Sequence, residues 1–306
     1  MDILGWIVAL IVSFFAYLTT SSVLTPDDTI HTGGAAPYPH NRDPPRILTP
    51  DSPATPYSRH RQPDMSHVLH QGQRKLLMTE IEFLTLHGSL ADTVLYVGSA
   101  PGTHIGLLAD MFPHRFVLYD PREFDPVLRE RPERFTLHRE FFTDEIAKRF
   151  EDTPILFICD IRNGSVDDEG EHPEIVDDMA AQMRWVGIIH PAMSMLKFRL
   201  PWTPGTTTYL DGEIRVQPWA PLHSTESRLI TDGARTRDYD NTLYESQMYH
   251  HNTRNRLTHY HTRLLPRDSR RLHTDRCYDC AAEQLILAEY LDSEYAGVTT
   301  LPTTLP

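Results

Sequence analysis

Three short apolar runs set the constraint that governs how this chain can fold. Thr93–Val97 (TVLYV), Arg115–Tyr119 (RFVLY) and residues 155–159 (ILFIC) are nearly unbroken apolar stretches, and they run into Gly98, Asp120 and Asp160 respectively. Helical patterns at Ile105–Met111 and residues 144–150 lie between them. Strands buried on both faces and alternating with helices predict an α/β fold, a mostly parallel sheet with helices on both faces. In such sheets ligands bind beyond the carboxyl ends of the strands. The glycine and the two aspartates therefore mark one rim.

The rest of the chain arranges itself around that core. Residues 3–24 carry no charge and match the ~20 apolar residues that span a bilayer. Without a basic n-region or an A-x-A cleavage site they read as an N-terminal transmembrane anchor rather than a secretory signal. Residues 25–65 contain nine of the 24 prolines and read as a tether with no core of its own. The domain is expected over residues 66–296, with a Thr/Pro tail at 297–306. It opens on a helix carrying Leu76, Leu77, Ile81, Leu84 and Leu86 at helical spacing. An acidic stretch from Asp167 to Asp178 leads into a helix over 175–189. MSMLKFRLPW and SRLIT read as further strands, and residues 281–290 as a last helix.

The net charge of −13 excludes a histone-like binder that relies on bulk counterion release. Between Arg228 and Arg276, however, ten arginines face six acids, a zone that either meets phosphates or balances the acidic stretch. Three cysteines exclude a disulfide scaffold. Cys277-x-x-Cys280, with His273 nearby, is a single CxxC without a second pair, so no metal is expected. The His-rich run at 250–261 reads as surface.

The rim residues carry the chemistry. Gly98-Ser-Ala-Pro-Gly102 is a Gly-rich turn between strand and helix, which lets backbone approach a ligand. Its G-x-x-x-G spacing is neither the nicotinamide fingerprint nor a P-loop. Asp120, at the end of the next strand, suits a ribose diol. With Asp160 on the third strand, the set fits S-adenosylmethionine better than NAD. Of the 29 cations only Lys75, Lys148 and Lys197 are lysine. Codon bias explains the scarcity, but an ammonium can lower its pKa where a guanidinium effectively cannot. Lys197 falls near the Asp160 rim, Lys75 on the opening helix beside Gln73, and Glu226 at the head of SRLIT. Methylation of a hydroxyl needs an aligned oxygen and a group to take or polarise its proton. Two amines tuned by two carboxylates can do this; the same residues also serve as ordinary ion pairs.

The ordered run QGQRKLL, LYVGSAPGTHI, LYDPR, ICDIR, SMLKFRLPW, QPWAP, STESRLI and YESQMY resembles the poxvirus cap-specific mRNA 2′-O-methyltransferases, which also serve as the small, processivity subunit of the viral poly(A) polymerase. The resemblance extends from about Gln71 to Met248. It implies a Rossmann-like S-adenosylmethionine-dependent methyltransferase fold and methyl transfer to the first transcribed nucleotide of capped mRNA. It also implies a catalytic set of Lys75, Asp160, Lys197 and Glu226, with Lys197 activating the 2′-hydroxyl. The implied cofactor contacts are Gln73, Tyr96, Gly98, Gly102, Asp120, Arg122, Phe142 and Asp160. Implied contacts to cap and RNA are Tyr57, Arg199, Trp202 and Glu245. Pro204 stands where the family has a second cap carboxylate, a departure that bears on cap discrimination. The implied partners are capped mRNA and the poly(A) polymerase catalytic subunit. The membrane segment, absent from the soluble family pattern, implies a membrane-anchored domain facing the cytoplasm. The alternative is a non-catalytic RNA-binding or polymerase-accessory protein on the same fold.

Overall fold

The computed structural model describes residues 43–58, 71–162, 174–258, 260 and 277–297, all within the unit Pro39–Pro306. In chain order the strands are β1 (Ile47–Leu48), β2 (Thr93–Val97), β3 (Arg115–Tyr119), β4 (Phe135–His138), β5 (Leu156–Cys159), β6 (Met193–Phe198), β7 (Thr206–Leu210), β8 (Glu213–Arg215), β9 (Ser227–Thr231) and β10 (Thr236–Asp240). The helices are α1 (Gly72–His87), α2 (Ile105–Met111), α3 (Pro126–Arg129), α4 (Asp144–Ala147), α5 (Glu174–Ile189), α6 (Asn241–His250) and α7 (Tyr278–Leu291). A π-helical turn, His251–Asn255, continues α6.

The main sheet has the order β1-β8-β9-β6-β5-β2-β3-β4, and β7 pairs with β10 in a separate antiparallel ribbon. From β6 to β4 the strands are parallel, whereas β9, β8 and β1 add on antiparallel. Starting from β2, the chain builds outward through β3 and β4 on one side and through β5 and β6 on the other. The switch point of this doubly wound sheet thus lies between β2 and β5, where a ligand crevice is expected.

Alternation along the strands divides the core. Leu95 and Val97 of β2 join Phe157 and Cys159 in the cluster that includes Ile146 of α4 and Trp185 and Ile189 of α5. Tyr96 points the other way, toward α1, where its hydroxyl meets Glu80. Leu77, Ile81 and Leu84 of α1 are fully buried, and each such side chain contributes about 1.5–3 kcal/mol through burial. Leu86, expected on the same apolar stripe, is 45% exposed, because two residues past Leu84 is about 200° around the helix, away from the face of Leu77, Ile81 and Leu84.

Residues 43–58, part of the stretch read as a tether, lie on the domain. Ile47 and Leu48 pair with Arg215 and Ile214 of β8. Arg46 forms ion pairs with Glu82 of α1 and Glu289 of α7. Thr55 N–H donates to the Ser246 carbonyl at 3.0 Å. Two apolar residues and one arginine suffice to cap the sheet edge, and proline-rich surroundings hid them. Among the described residues no helix is long and apolar enough to cross a membrane. The segment 3–24 lies outside them, as do the tail after Gly297, His273 and most of the acidic stretch.

The π turn corrects the surface reading of the His-rich run. His251 and Arg256 are each 2% exposed. His251 stacks edge-on to Tyr278, and burial with the nearby Arg256 charge pulls its pKa down to about 3. Arg256 donates to Asp279 at 3.1 Å. The basic zone is likewise no continuous stripe among the described residues. Arg228 is buried, and Arg235 and Arg237 face Asp211.

Candidate active site

The first turn of the rim depends on Gly98. It ends β2 at φ +80°, and a Cβ there would lie 2.7 Å from the Asp160 carbonyl carbon. Close approach locks the two strand ends: Gly98 N–H donates to Tyr119 O at 2.8 Å, and Asp160 N–H to Val97 O at 2.9 Å. Gly98→Ala should therefore cost about 2 kcal/mol or more, combining positive φ with a backbone clash. A denaturant midpoint equal to wild type would refute that reading of the turn.

A cleft of about 660 Å³ opens at the switch point, walled by Gln73, Gly98, Asp120, Phe142, Asp160 and Lys197 among others. Both amines singled out from the sequence reach it. Lys75, on the first turn of α1, donates to Glu226 Oε1 at 2.6 Å. Lys197 Nζ lies 3.0 Å from Asp160 Oδ1 and 3.7 Å from Glu226 Oε2. The four residues thus form one constellation drawn from α1, the end of β5, β6 and the entry to β9.

Arg228 completes it, and sequence reasoning missed it. It lies opposite Lys197 in the β6–β9 register and is 1% exposed. It donates to Asp160 at 2.7 Å and to Glu226 at 3.2 Å. Period two on a strand puts Glu226 and Arg228 of E-S-R on one face, so that spacing was a usable signal. Arg162 adds an exposed fourth cation, 2.7 Å from Glu226. Burial pushes both carboxyls up, but the surrounding cations more than offset it. Lys197 and Arg228 leave Asp160 below its ordinary pKa, and Lys75, Lys197 and Arg228 hold Glu226 well below. Burial pulls the Lys75 ammonium down and Arg228 adds to this, against the opposing pull of Glu226. A partly desolvated amine beside fixed carboxylates can hold or exchange a proton at an adjacent hydroxyl.

The expected cofactor residues divide. Asp120 is 3% exposed and accepts from Ala100 N at 3.0 Å, Arg122 N at 2.9 Å and the Arg122 guanidinium at 3.0 Å. Phe142 packs edge-on against Tyr119 and Trp185 in the cleft wall. Tyr96 is 1% exposed and donates to Glu80 at 2.7 Å, so it stands behind the cleft rather than in it. Gly102, at φ +70°, is packed under Ile105 and Leu128 and shapes the turn.

The expected cap residues gather around α6. Arg199 sits 4.6 Å over the ring of Trp202, which is half-exposed. The Trp202 loop is tied to α6, since Asn241 donates to Thr203 O at 3.0 Å and to Gly205 O at 3.0 Å. Glu245 lies on α6, where burial raises its pKa. One turn later Tyr249 meets the Tyr57 ring edge-on at 5.3 Å. Pro204 is exposed in the loop. Among the described residues no group of His, Cys, Asp and Glu is arranged to hold a metal. Cys277 Sγ instead accepts the Cys280 N–H at the start of α7.

Fold and site together define a doubly wound α/β domain with a switch-point cleft in which two lysines and a buried arginine converge on two carboxylates. The chain belongs to the poly A polymerase regulatory subunit family, whose model matches residues 52–263. A Myxoma virus (strain Lausanne) protein named cap-specific mRNA (nucleoside-2′-O-)-methyltransferase is 32% identical over 212 residues, covering 61% of this chain and 63% of its own length. A Fowlpox virus (strain NVSL) protein of the same name is 32% identical over 216 residues, covering 60% and 67%. The chain thus spans less than two thirds of the Myxoma relative. Among solved structures, bluetongue virus VP4, described as a multifunctional RNA-capping production line, aligns with TM-score 0.46 and 14% identity over 82% of this chain and 38% of that one.

Proposed function

We propose that this chain is a methyltransferase that moves the methyl group of S-adenosylmethionine to the ribose 2′-hydroxyl of the first transcribed nucleotide of capped mRNA. The observation that carries the reading is the convergence of Lys75, Asp160, Lys197 and Glu226 on one cleft. The names of the poxvirus relatives support it. A ribose diol bound at Asp120 displaces the Arg122 guanidinium, which is 67% exposed, and keeps the two backbone donors. S-adenosylmethionine held there would supply the methyl group, and Lys197 would orient the ribose hydroxyl. The hydroxyl attacks in line, the C–S bond breaks, and S-adenosylhomocysteine leaves as the hydroxyl proton passes toward the Lys197–Asp160 pair. Around Asp160 and Glu226 four cations face two carboxylates, a local positive excess that favours a phosphate-bearing substrate at that end of the cleft. Trp202, Arg199, Glu245 and Tyr57 hold the cap and its neighbouring RNA, the indole stacking on the methylated base. Residues 3–24 fasten the enzyme to a membrane, with the domain facing the cytoplasm.

The 306-residue chain should methylate capped RNA lacking ribose methylation, and uncapped RNA of the same sequence at least about fivefold more slowly, given 1–3 kcal/mol for one stacked base. Equal single-turnover rates on the two RNAs would remove the cap from the reading. The family description favours a second reading, an accessory subunit of a poly(A) polymerase without transfer of its own. RNA binding with no methyl transfer, together with faster polyadenylation by the polymerase, would select it.

A further inference from the structure

Behind Gln73 lies a buried polar chain that the proposed transfer step does not use. Glu80, two turns along α1, is 0% exposed. Tyr96 donates to its Oε1 at 2.7 Å, and His104 Nε2 lies 3.0 Å from Oε1 and 2.8 Å from Oε2. A carboxylate this deep persists only where donors or a cation meet it. Burial and the Glu80 charge hold the Tyr96 hydroxyl well above its ordinary pKa, so it keeps its proton and donates. The other ring nitrogen of His104, Nδ1, lies 2.8 Å from Gln73 Oε1, and Thr103 Oγ1 donates to that same oxygen at 2.6 Å. An amide oxygen only accepts, so in this arrangement Thr103 and His104 both turn a donor toward Gln73 Oε1. With Oε1 turned to both of these partners, the NH2 is left for the cleft that Gln73 lines.

We propose that Glu80 and His104 are positioning residues that lock the Gln73 amide with its NH2 facing the cleft, where it selects the carboxylate of the cofactor's amino-acid end. This rests on the S-adenosylmethionine reading above. Two features of the site point to an anionic acceptor. The presented group is a pure donor, and Gln73 is the second residue of a 16-residue helix whose N-terminal backbone amides favour negative charge. In the opposite orientation the amide oxygen would face the carboxylate and repel it.

The test compares two ligands by calorimetry on the full chain: S-adenosylhomocysteine, which has the carboxylate, and 5′-methylthioadenosine, which lacks the amino-acid end. Wild type should prefer S-adenosylhomocysteine. His104→Phe, which removes both ring nitrogens, should weaken S-adenosylhomocysteine about tenfold or more, as expected for a lost hydrogen bond to a charged group. It should leave methylthioadenosine affinity within about twofold, which a general loss of structure would not do. His104→Asn, which puts an amide donor close to the place of Nδ1, should restore most of the preference. If His104→Phe does not fold, Glu80→Gln is read for the same ratio. A preference unchanged in the folded variant overturns the positioning role. Wild type that binds neither ligand overturns the cofactor reading instead.

Discussion

Lys197→Arg should slow methyl transfer about a thousandfold, near the middle of the 10²–10⁴ range for losing a positioned proton-handling group. The substitution keeps a positive charge, so gross electrostatics in the cleft survive. It removes a compact amine whose proton is exchangeable and substitutes a planar fork that stays protonated. The geometry is unforgiving, because Nζ sits 3.0 Å from Asp160 and 3.7 Å from Glu226 while Arg228 already occupies the facing position on β9. A second guanidinium must either displace Arg228 from Asp160 or project into the space reserved for the ribose. Cofactor affinity should stay within about twofold, since Gln73, Gly98 and Asp120 lie on other elements and exposed-side changes elsewhere are near neutral. Single-turnover transfer of labelled methyl to capped RNA measures the rate, and titration with S-adenosylhomocysteine measures the affinity. Transfer at the wild-type rate would mean that Lys197 does not handle the proton, and Lys75 would take its place in the mechanism.

Much of this site was legible from the order of residue types. β2, β3 and β5 announce themselves because both their faces are buried, so apolar runs continue unbroken into Gly98, Asp120 and Asp160. That pattern fixes the rim, and two of the three lysines, Lys75 and Lys197, then point into it. What escaped did so for physical reasons. β7 (TTTYL) and β10 (TRDYD) form a two-stranded ribbon with much exposed surface, so polar residues dilute any alternation. β1 is two residues long and takes its stability from pairing with β8 and from the Arg46 ion pairs, partners far away in sequence. His251 and Arg256 look like surface residues because their burial is made acceptable by Tyr278 and Asp279, beyond the interval that local patterns sample. Tyr96 is a subtler case. Strand alternation alone sends it to the face opposite Val97, toward α1, so its place behind the cleft was implicit in the period of β2.

Arg228→Met should destabilise the fold by about 3 kcal/mol or more, because it strands two buried carboxylates that lose a shared cation. For a domain of this size that corresponds to a fall in Tm of roughly 6–12 °C. The guanidinium is 1% exposed and spans Asp160 and Glu226, and a thioether of similar length fills its volume without meeting either charge. Adding Glu226→Gln to Arg228→Met should recover part of the loss, whereas Glu226→Gln alone should destabilise by leaving Lys75 under-compensated. Coupling between residues in one such network runs to about 0.5–3 kcal/mol. The sign with pH separates this account from a simple packing defect. Asp160 and Glu226 are held below their ordinary values, so their stabilisation is present above those ordinary values and is lost as pH falls through the folded ones. Removing Arg228 lets both folded values rise toward the unfolded ones, which flattens the acid limb. Wild type and variant should therefore differ most near neutrality and converge as the carboxyls protonate. A gap that stays constant from pH 7 to pH 3 in urea unfolding would show that Arg228 stabilises by its bulk and not by its charge.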